Sequence, residues 1–293
     1  MSKSVKFLKL SQLKRIEELR QSRVLILAAS NLDMELLPAL YSQLTRMGKV
    51  EMLDVVIQCR GGIVNAARRI ALLLRKFSDR LNFIVPYHCE SAGTILALSA
   101  DEILAGDLAI FSPIDPHLHG GTGDGASSAL SCLDIKQFGA MCQEWFGVEE
   151  AQANAEQISL LCNSIFPPTL TAFYRSATET QQIAEELLAY QLPEASYDDR
   201  ARIVNHLMYN YHSHHYAITT EELQQLGLNC VRNNEVEGLA WDISTEIQTS
   251  VGGGVRESLE DSWADALLIS RESGQVRYNS GNGLMPQWKS VEV

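Results

Sequence analysis

Three short segments of this 293-residue chain carry residue types suited to making and breaking a covalent bond. Cys89-Glu90-Ser91-Ala92-Gly93-Thr94 follows an apolar run and opens a helical stretch. A serine so placed has its hydroxyl where helix-terminal N–H groups and the helix dipole favour developing negative charge. Ala92 and Gly93 are small enough to leave room for a substrate carbonyl beside it. Residues 58–66 (QCRGGIVNA) pass from a strand pattern through Gly61-Gly62 into a helix pattern. A glycine pair there lets the backbone approach a ligand and aim N–H groups at it. No Gly-Lys-Ser/Thr follows, so this is not a nucleotide P-loop. Ser112-Pro113-Ile114-Asp115-Pro116-His117 holds a carboxylate rigidly between two prolines. Taken singly, these segments also read as an N-cap serine, a tight strand-to-helix turn and a turn aspartate.

The elements that must position these residues alternate along the first third of the chain. Residues 24–29 (VLILAA), 53–59 (LDVVIQC) and 82–87 (NFIVPY) read as strands, and the first suits a strand buried on both faces. Residues 34–47 and 65–77 space their apolar side chains at helical period, and 94–100 continue as a small-residue helix. Strand character resumes over 104–111. This alternation predicts an α/β fold with a mostly parallel sheet. Residues 119–128 (HGGTGDGASS) read as a mobile loop. Residues 134–146, 149–165, 168–190 and 197–209 then read as successive helices, and Thr219 caps a further one ended by Gly227. The expected organisation is an N-terminal helical segment over 1–22, one catalytic domain over 23–240, and a polar, Gly-rich appendage over 241–293.

Composition narrows the function. Hydrophobic residues make up 46% and charged residues 20%, the balance of a globular protein with a sizeable core. The formal charge of -12 repels phosphate backbones, so no nucleic-acid partner is expected. The six cysteines form no CxxC pair, and no apolar run is long enough for a stable membrane span. A cytoplasmic protein with reduced thiols is the expectation. His212, His214 and His215 lack the HExxH spacing that sets two imidazoles on one helical face, so no metal is expected.

Together the RGG loop, the SAGT-x4-SADEI stretch and the S-P-I-D-P segment resemble the serine dehydrogenase proteinase family of the ClpP/crotonase superfold. That family is related to signal peptide peptidase A. Ser213-His214-His215-Tyr216-Ala217-Ile218-Thr219, leading into Leu226-Gly227-Leu228, extends the resemblance. It implies a ClpP/crotonase-like fold with a stacked, mostly parallel sheet, and a serine peptidase needing no cofactor. It further implies Ser91 as nucleophile, Asp115 as orienting acid and His214 as base, with His215 as substitute. The oxyanion hole would come from the backbone N–H groups of Gly62 and Ala92, with Gly61 and Gly93 beside them. Serine attacks only when a base takes its proton, and that base needs a third group to orient it, so the set is chemically coherent.

Alternatives stay open from the residues alone. Lys136 could act as base in a Ser–Lys dyad if burial stripped its proton. His117 and His88 flank the serine and aspartate segments. Glu90 leaves a crotonase-type acyl-CoA enzyme in play, and a catalytically inactive scaffold is the remaining reading. Peptides or proteins, including membrane-derived ones, are the expected substrates. The helices after residue 134 are the expected surface of a homo-oligomer.

Overall fold

Residues 24–29 are apolar at every position because both faces of the strand they form are covered. The computed structural model describes residues 10–121, 127–147, 150–251, 263–279 and 287–291. Helix α1 (Leu10–Arg20) leads into strand β1 (Arg23–Ala29), followed by α2 (Leu36–Met47), β2 (Val50–Cys59), α3 (Val64–Lys76) and β3 (Ser78–Val85). The short β4 (His88–Cys89) and α4 (Ala92–Ala97) precede β5 (Glu102–Ala105) and β6 (Ile110–Phe111). An antiparallel pair, β7 (His117–Gly121) and β8 (Ser127–Ser131), comes next. Four helices follow: α5 (Cys132–Phe146), α6 (Glu150–Ser164), α7 (Pro167–Gln191) and α8 (Tyr197–Tyr209). The described chain ends with α9 (Thr220–Gln225), β9 (Cys230–Val231), α10 (Asn234–Ser250), β10 (Trp263–Ser270), β11 (Gly274–Asn279) and β12 (Gln287–Val291).

The main sheet has the order β12-β11-β10-β1-β2-β3-β5-β9. Strands β1, β2, β3, β5 and β9 run parallel, as the alternation of strand and helix patterns predicts. A side branch carries β4 beside the end of β2 and β6 beside β4. Alternate residues of β1 serve opposite faces. Leu25, Leu27 and Ala29 enter a core with α2, α3, α4, α7 and α8, while Val24, Ile26 and Ala28 enter a core with α1 and α10. The buried Asp54 carboxylate of β2 accepts from Arg20, Ser22 and Asn82, which ties α1 to the sheet. Removing one partner of such a buried, paired charge costs about 3–5 kcal/mol.

Three expectations need correction. Residues 119–121 and 127–128 of the expected mobile loop are strand residues of β7 and β8, while residues 122–126 lie outside the described residues. Helix α10 was not anticipated, because its polar exposed face masks the buried row Val236, Ala240, Ile243 and Ile247. The appendage expected over 241–293 is, over 263–270, an inner strand: β10 lies between β1 and β11, in antiparallel register with β1 from Leu25↔Ser270 to Ala29↔Ala266. Its side chains Leu267, Leu268 and Ile269 are fully buried, each worth about 1.5–3 kcal/mol of apolar burial. The polar, Gly-rich composition that suggested an appendage belongs to the flanking segments. Truncation after Val251 is therefore expected to strip a covered edge from β1 and abolish cooperative thermal unfolding followed by circular dichroism. A Tm unchanged from the full chain would return the segment to appendage status.

Candidate active site

The carboxyl ends of parallel strands collect loops at one edge of the sheet, where α/β proteins usually bind their ligands. Here β2 ends in Arg60-Gly61-Gly62, β4 in Glu90-Ser91, and β6 in residues 112–116. Register brings the first two together, since Cys59 of β2 pairs with Cys89 of β4. A Cβ on Gly61 would lie 3.1 Å from the Cβ of Ser91.

The glycine loop is pinned by Leu32. Its N–H donates to the Gly61 carbonyl at 2.7 Å, and its carbonyl accepts from the Ile63 N–H at 2.8 Å. Strand pairing alternates along a chain, so this bridge turns the Gly62 N–H away from Leu32. Gly62 itself has φ +137°, and a Cβ there would sit 2.3 Å from the Leu32 carbonyl oxygen, so only glycine fits.

Ser91 has φ 52° and ψ -114°, a conformation that costs a non-glycine residue about 1–3 kcal/mol. A relay of hydroxyls holds it there. Thr94 Oγ1 donates to the Cys89 carbonyl at 2.9 Å and accepts from the Ser112 N–H at 3.1 Å. Ser112 Oγ then accepts the Ser91 N–H at 2.8 Å. Both Thr94 and Ser112 are buried. Gly93 packs so closely on Cys59 that a Cβ would fall 2.5 Å from the thiol sulfur. Ala92, buried at the start of α4, has no helical acceptor for its N–H by position.

Asp115 and His214 lie far apart in sequence and meet in space. Phe111 and Ile218 form an antiparallel bridge with reciprocal backbone hydrogen bonds of 3.1 and 2.8 Å, which straps the loop after α8 onto β6. The Ile114 N–H also donates to the Leu207 carbonyl at 3.1 Å. His214 Nδ1 then lies 2.8 Å from Asp115 Oδ1. Ser131, the N-cap of α5, donates its hydroxyl to Asp115 Oδ2 and accepts from the Leu133 N–H. The Asp115 side chain is 2% exposed and that of His214 24%. With Nδ1 donating to the carboxylate, a neutral His214 carries its lone pair on Nε2, the nitrogen that can take a proton. No hydrogen bond joins Ser91 to His214 in the described structure. The geometry brings Asp115 and His214 together and sets Ser91 against the glycine loop.

The other candidates fall elsewhere. His215 is exposed. Lys136 is exposed as well, its ammonium 3.4 Å from the centre of the Tyr209 ring. The side chain of His117 lies outside the described residues. Buried His88 joins Glu90 through Nδ1 and Arg60 through Nε2. Burial raises the Glu90 carboxyl, but His88, Arg60 and His215 outweigh it and hold the group below the usual carboxylate range. Among the described residues no three His, Cys, Asp or Glu side chains converge as a metal set, and no helix is long and apolar enough to cross a membrane. The cysteines near the site are poor nucleophiles. Cys59 chiefly, and burial after it, holds Cys89 well above its ordinary value, and burial pushes Cys132 to about 11 and Cys230 to about 12. The sequence pointed to Ser91, Asp115 and His214; it did not reveal the roles of Ser112, Thr94 and Ser131, whose only sign was a hydroxyl at each of those positions.

Residues 3–140 match the family model described as ClpP-like SDH-type serine proteinase, which bears out the resemblance read from the sequence. The match includes the glycine loop, Ser91 and Asp115, and ends before His214. Two uncharacterized proteins of Methanocaldococcus jannaschii are similar, each at 27% identity, over 63% and 62% of this chain and 55% and 52% of their own lengths. The chain thus spans about half the length of these relatives. A solved membrane-bound stomatin-specific protease, in mutant form, aligns at a TM-score of 0.45 and 14% identity over 79% of this chain and 86% of its own.

Two outcomes follow from the geometry. Ser112→Ala should slow reaction of Ser91 with a fluorophosphonate by about tenfold, the worth of one buried hydrogen bond, and Ser112→Thr should restore much of it. Equal labelling of all three proteins would remove Ser112 from the positioning of Ser91. Iodoacetamide near neutral pH should modify Cys142 and Cys162 before Cys89, Cys132 or Cys230, since a raised pKa and burial leave the latter three almost no thiolate. Peptide mapping reads the order, and early modification of Cys89 would contradict it.

Proposed function

We propose that this protein is a serine peptidase in which Ser91 attacks the scissile carbonyl, His214 takes its proton and Asp115 orients the imidazole. The observation that carries this reading is the His214–Asp115 hydrogen bond, joining a family-matched aspartate to a histidine beyond the match. In this mechanism His214 Nε2 removes the Ser91 hydroxyl proton as Oγ bonds to the carbonyl carbon. The oxyanion that forms is held by the N–H groups of Gly62 and Ala92. His214 then returns the proton to the leaving amine, and water repeats the sequence to release the acyl group. Catalytic hydrogen bonds are often long before substrate binds, so the unmade Ser91–His214 contact is compatible with this reading. The exposed, ring-stacked Lys136 gives no support to a dyad.

The working form is proposed to be a homo-oligomer. Trp145, Phe146, Ile158, Leu160, Phe166 and Tyr174 are all more than half exposed on α5, α6 and the segment leading into and through α7. Such a concentration of exposed apolar side chains marks an interaction surface. Light scattering on the full chain is expected to give a multiple of the monomer mass, and a monomer at micromolar concentration would refute it.

Intact-mass labelling with a fluorophosphonate tests the chemistry. Wild type should gain one adduct, Ser91→Ala none, and His214→Ala should react slower by two to four orders of magnitude. Lys136→Ala should react like wild type. Retained labelling in Ser91→Ala, or a loss confined to Lys136→Ala, would overturn the assignment.

A further inference from the structure

The cluster Arg60–His88–Glu90 is left unused by this mechanism, although it borders both segments that hold Ser91. Arg60 immediately precedes the glycine loop and is exposed. Its Nη2 donates to His88 Nε2 at 3.0 Å, and His88 Nδ1 faces Glu90. The accepting imidazole nitrogen brings no negative charge to the guanidinium, and Glu90 acts on it electrostatically without a direct ion pair. Glu90 is engaged by His88, and no carboxylate reaches ion-pair distance of Arg60 among the described residues. Arg20, Arg23, Arg68, Arg75, Arg232 and Arg277, by contrast, each contact a carboxylate within that distance. A guanidinium has five N–H donors in a fixed fork, and the His88 contact engages one nitrogen.

Arg60 and His88 also line a cavity of about 250 Å³ at the carboxyl ends of β1 and β2. Its wall is completed by polar groups from Ser30, Gln58, Tyr87 and Gln248. The cavity is sized for one side chain or a chain end, and its lining mixes these polar groups with Ala29, Cys59 and Val251. Of its lining residues, Arg60 directly precedes the glycine loop and His88 lies three residues before Ser91, on strands that the Cys59–Cys89 register sets side by side.

We propose that this cavity is a subsite for a substrate carboxylate, with Arg60 as the fork that binds it and His88 and Glu90 as the groups that hold Arg60 in place. The inference rests on the peptidase reading and adds to it a substrate class, peptides bearing a carboxylate near the cleaved bond. The net charge of -12 makes a local cationic fork the device by which an acidic group could be received at all. Bidentate guanidinium–carboxylate pairing supplies both the attraction and the orientation. The carboxylate could be a Glu or Asp side chain or the α-carboxylate of a chain end, and the test separates the two.

Two sets of fluorescent decapeptides are compared on the full chain. In one, amidated peptides carry Glu or Gln at each position within three residues of the cleaved bond; in the other, a Gln peptide ends in a free acid or an amide. The expected result is a Glu/Gln or acid/amide ratio of kcat/KM on the order of tenfold in one set. That ratio should fall close to one in Arg60→Ala and to an intermediate value in Arg60→Lys, which keeps charge but loses the fork. A preference in the first set assigns a side chain, and one in the second a chain terminus. Anisotropy titrations of the same peptides with Ser91→Ala read the same ratio as a ratio of Kd, with no turnover required. A missing fluorophosphonate adduct on wild type would therefore defeat the peptidase reading while the titrations still judged the subsite. Equal affinity for all pairs in wild type and Ser91→Ala, or a preference that survives in Arg60→Ala, would overturn the proposal.

Discussion

The backbone at Ser91 is the point on which the rest of the site depends. A non-glycine residue at φ 52° and ψ -114° relaxes unless its surroundings over-determine it. Each surrounding segment contributes to that constraint: Ser112 takes its N–H, Thr94 ties Ser112 to the end of β4, and Gly93 lets α4 settle onto Cys59. The SAGT and S-P-I-D-P segments thus form one hydrogen-bonded unit. Their small side chains and hydroxyls are needed together, which is why the combination is specific while each piece alone is weak. Strain of this kind raises the hydroxyl out of the local backbone without requiring a large pocket around it.

Electrostatics at the site divide into two separate systems. Asp115 and His214 form a hydrogen-bonded pair with Ser131 as an anchor on the far carboxylate oxygen. Glu90, His88 and Arg60 form a second chain on neighbouring strand ends. His215 acts electrostatically on Glu90 and so links the loop that carries His214 to the second chain.

Much of the fold was legible in the sequence, and the exceptions have physical reasons. Buried parallel strands write themselves as continuous apolar runs, so β1, β2 and β3 were read directly. Amphipathic α2, α3, α7 and α8 were equally plain. Helix α10 was missed because its buried row is short and interrupted by Glu237, Asp242 and Glu246 on the exposed faces. Strand β10 was hidden by its neighbours' composition, since a window over 245–293 averages an inner strand with Gly-rich segments. At the site, Ser91, Asp115 and His214 were singled out from motifs and from the family they resemble, and the structure brings the last two together. The clamp through Ser112, the anchor at Ser131 and the Arg60–His88 contact depend on registers between segments that no local pattern encodes.

Asp115 and His214 are 99 residues apart, and the single bridge between Phe111 and Ile218 brings their segments side by side. Everything between them, from the β7–β8 hairpin through α8, is in effect one long excursion closed by that bridge. The entropy lost in closing such an excursion grows only with the logarithm of its length, about 0.6 kcal/mol per doubling. Within that excursion α7 and α8 are fixed in the main core by Ala184, Leu187, Val204 and Leu207, so the tolerance to insertion and deletion falls to α5 and α6, which can lengthen or shorten while the Asp115–His214 pair keeps its geometry, provided the bridge and the Ser131 cap survive.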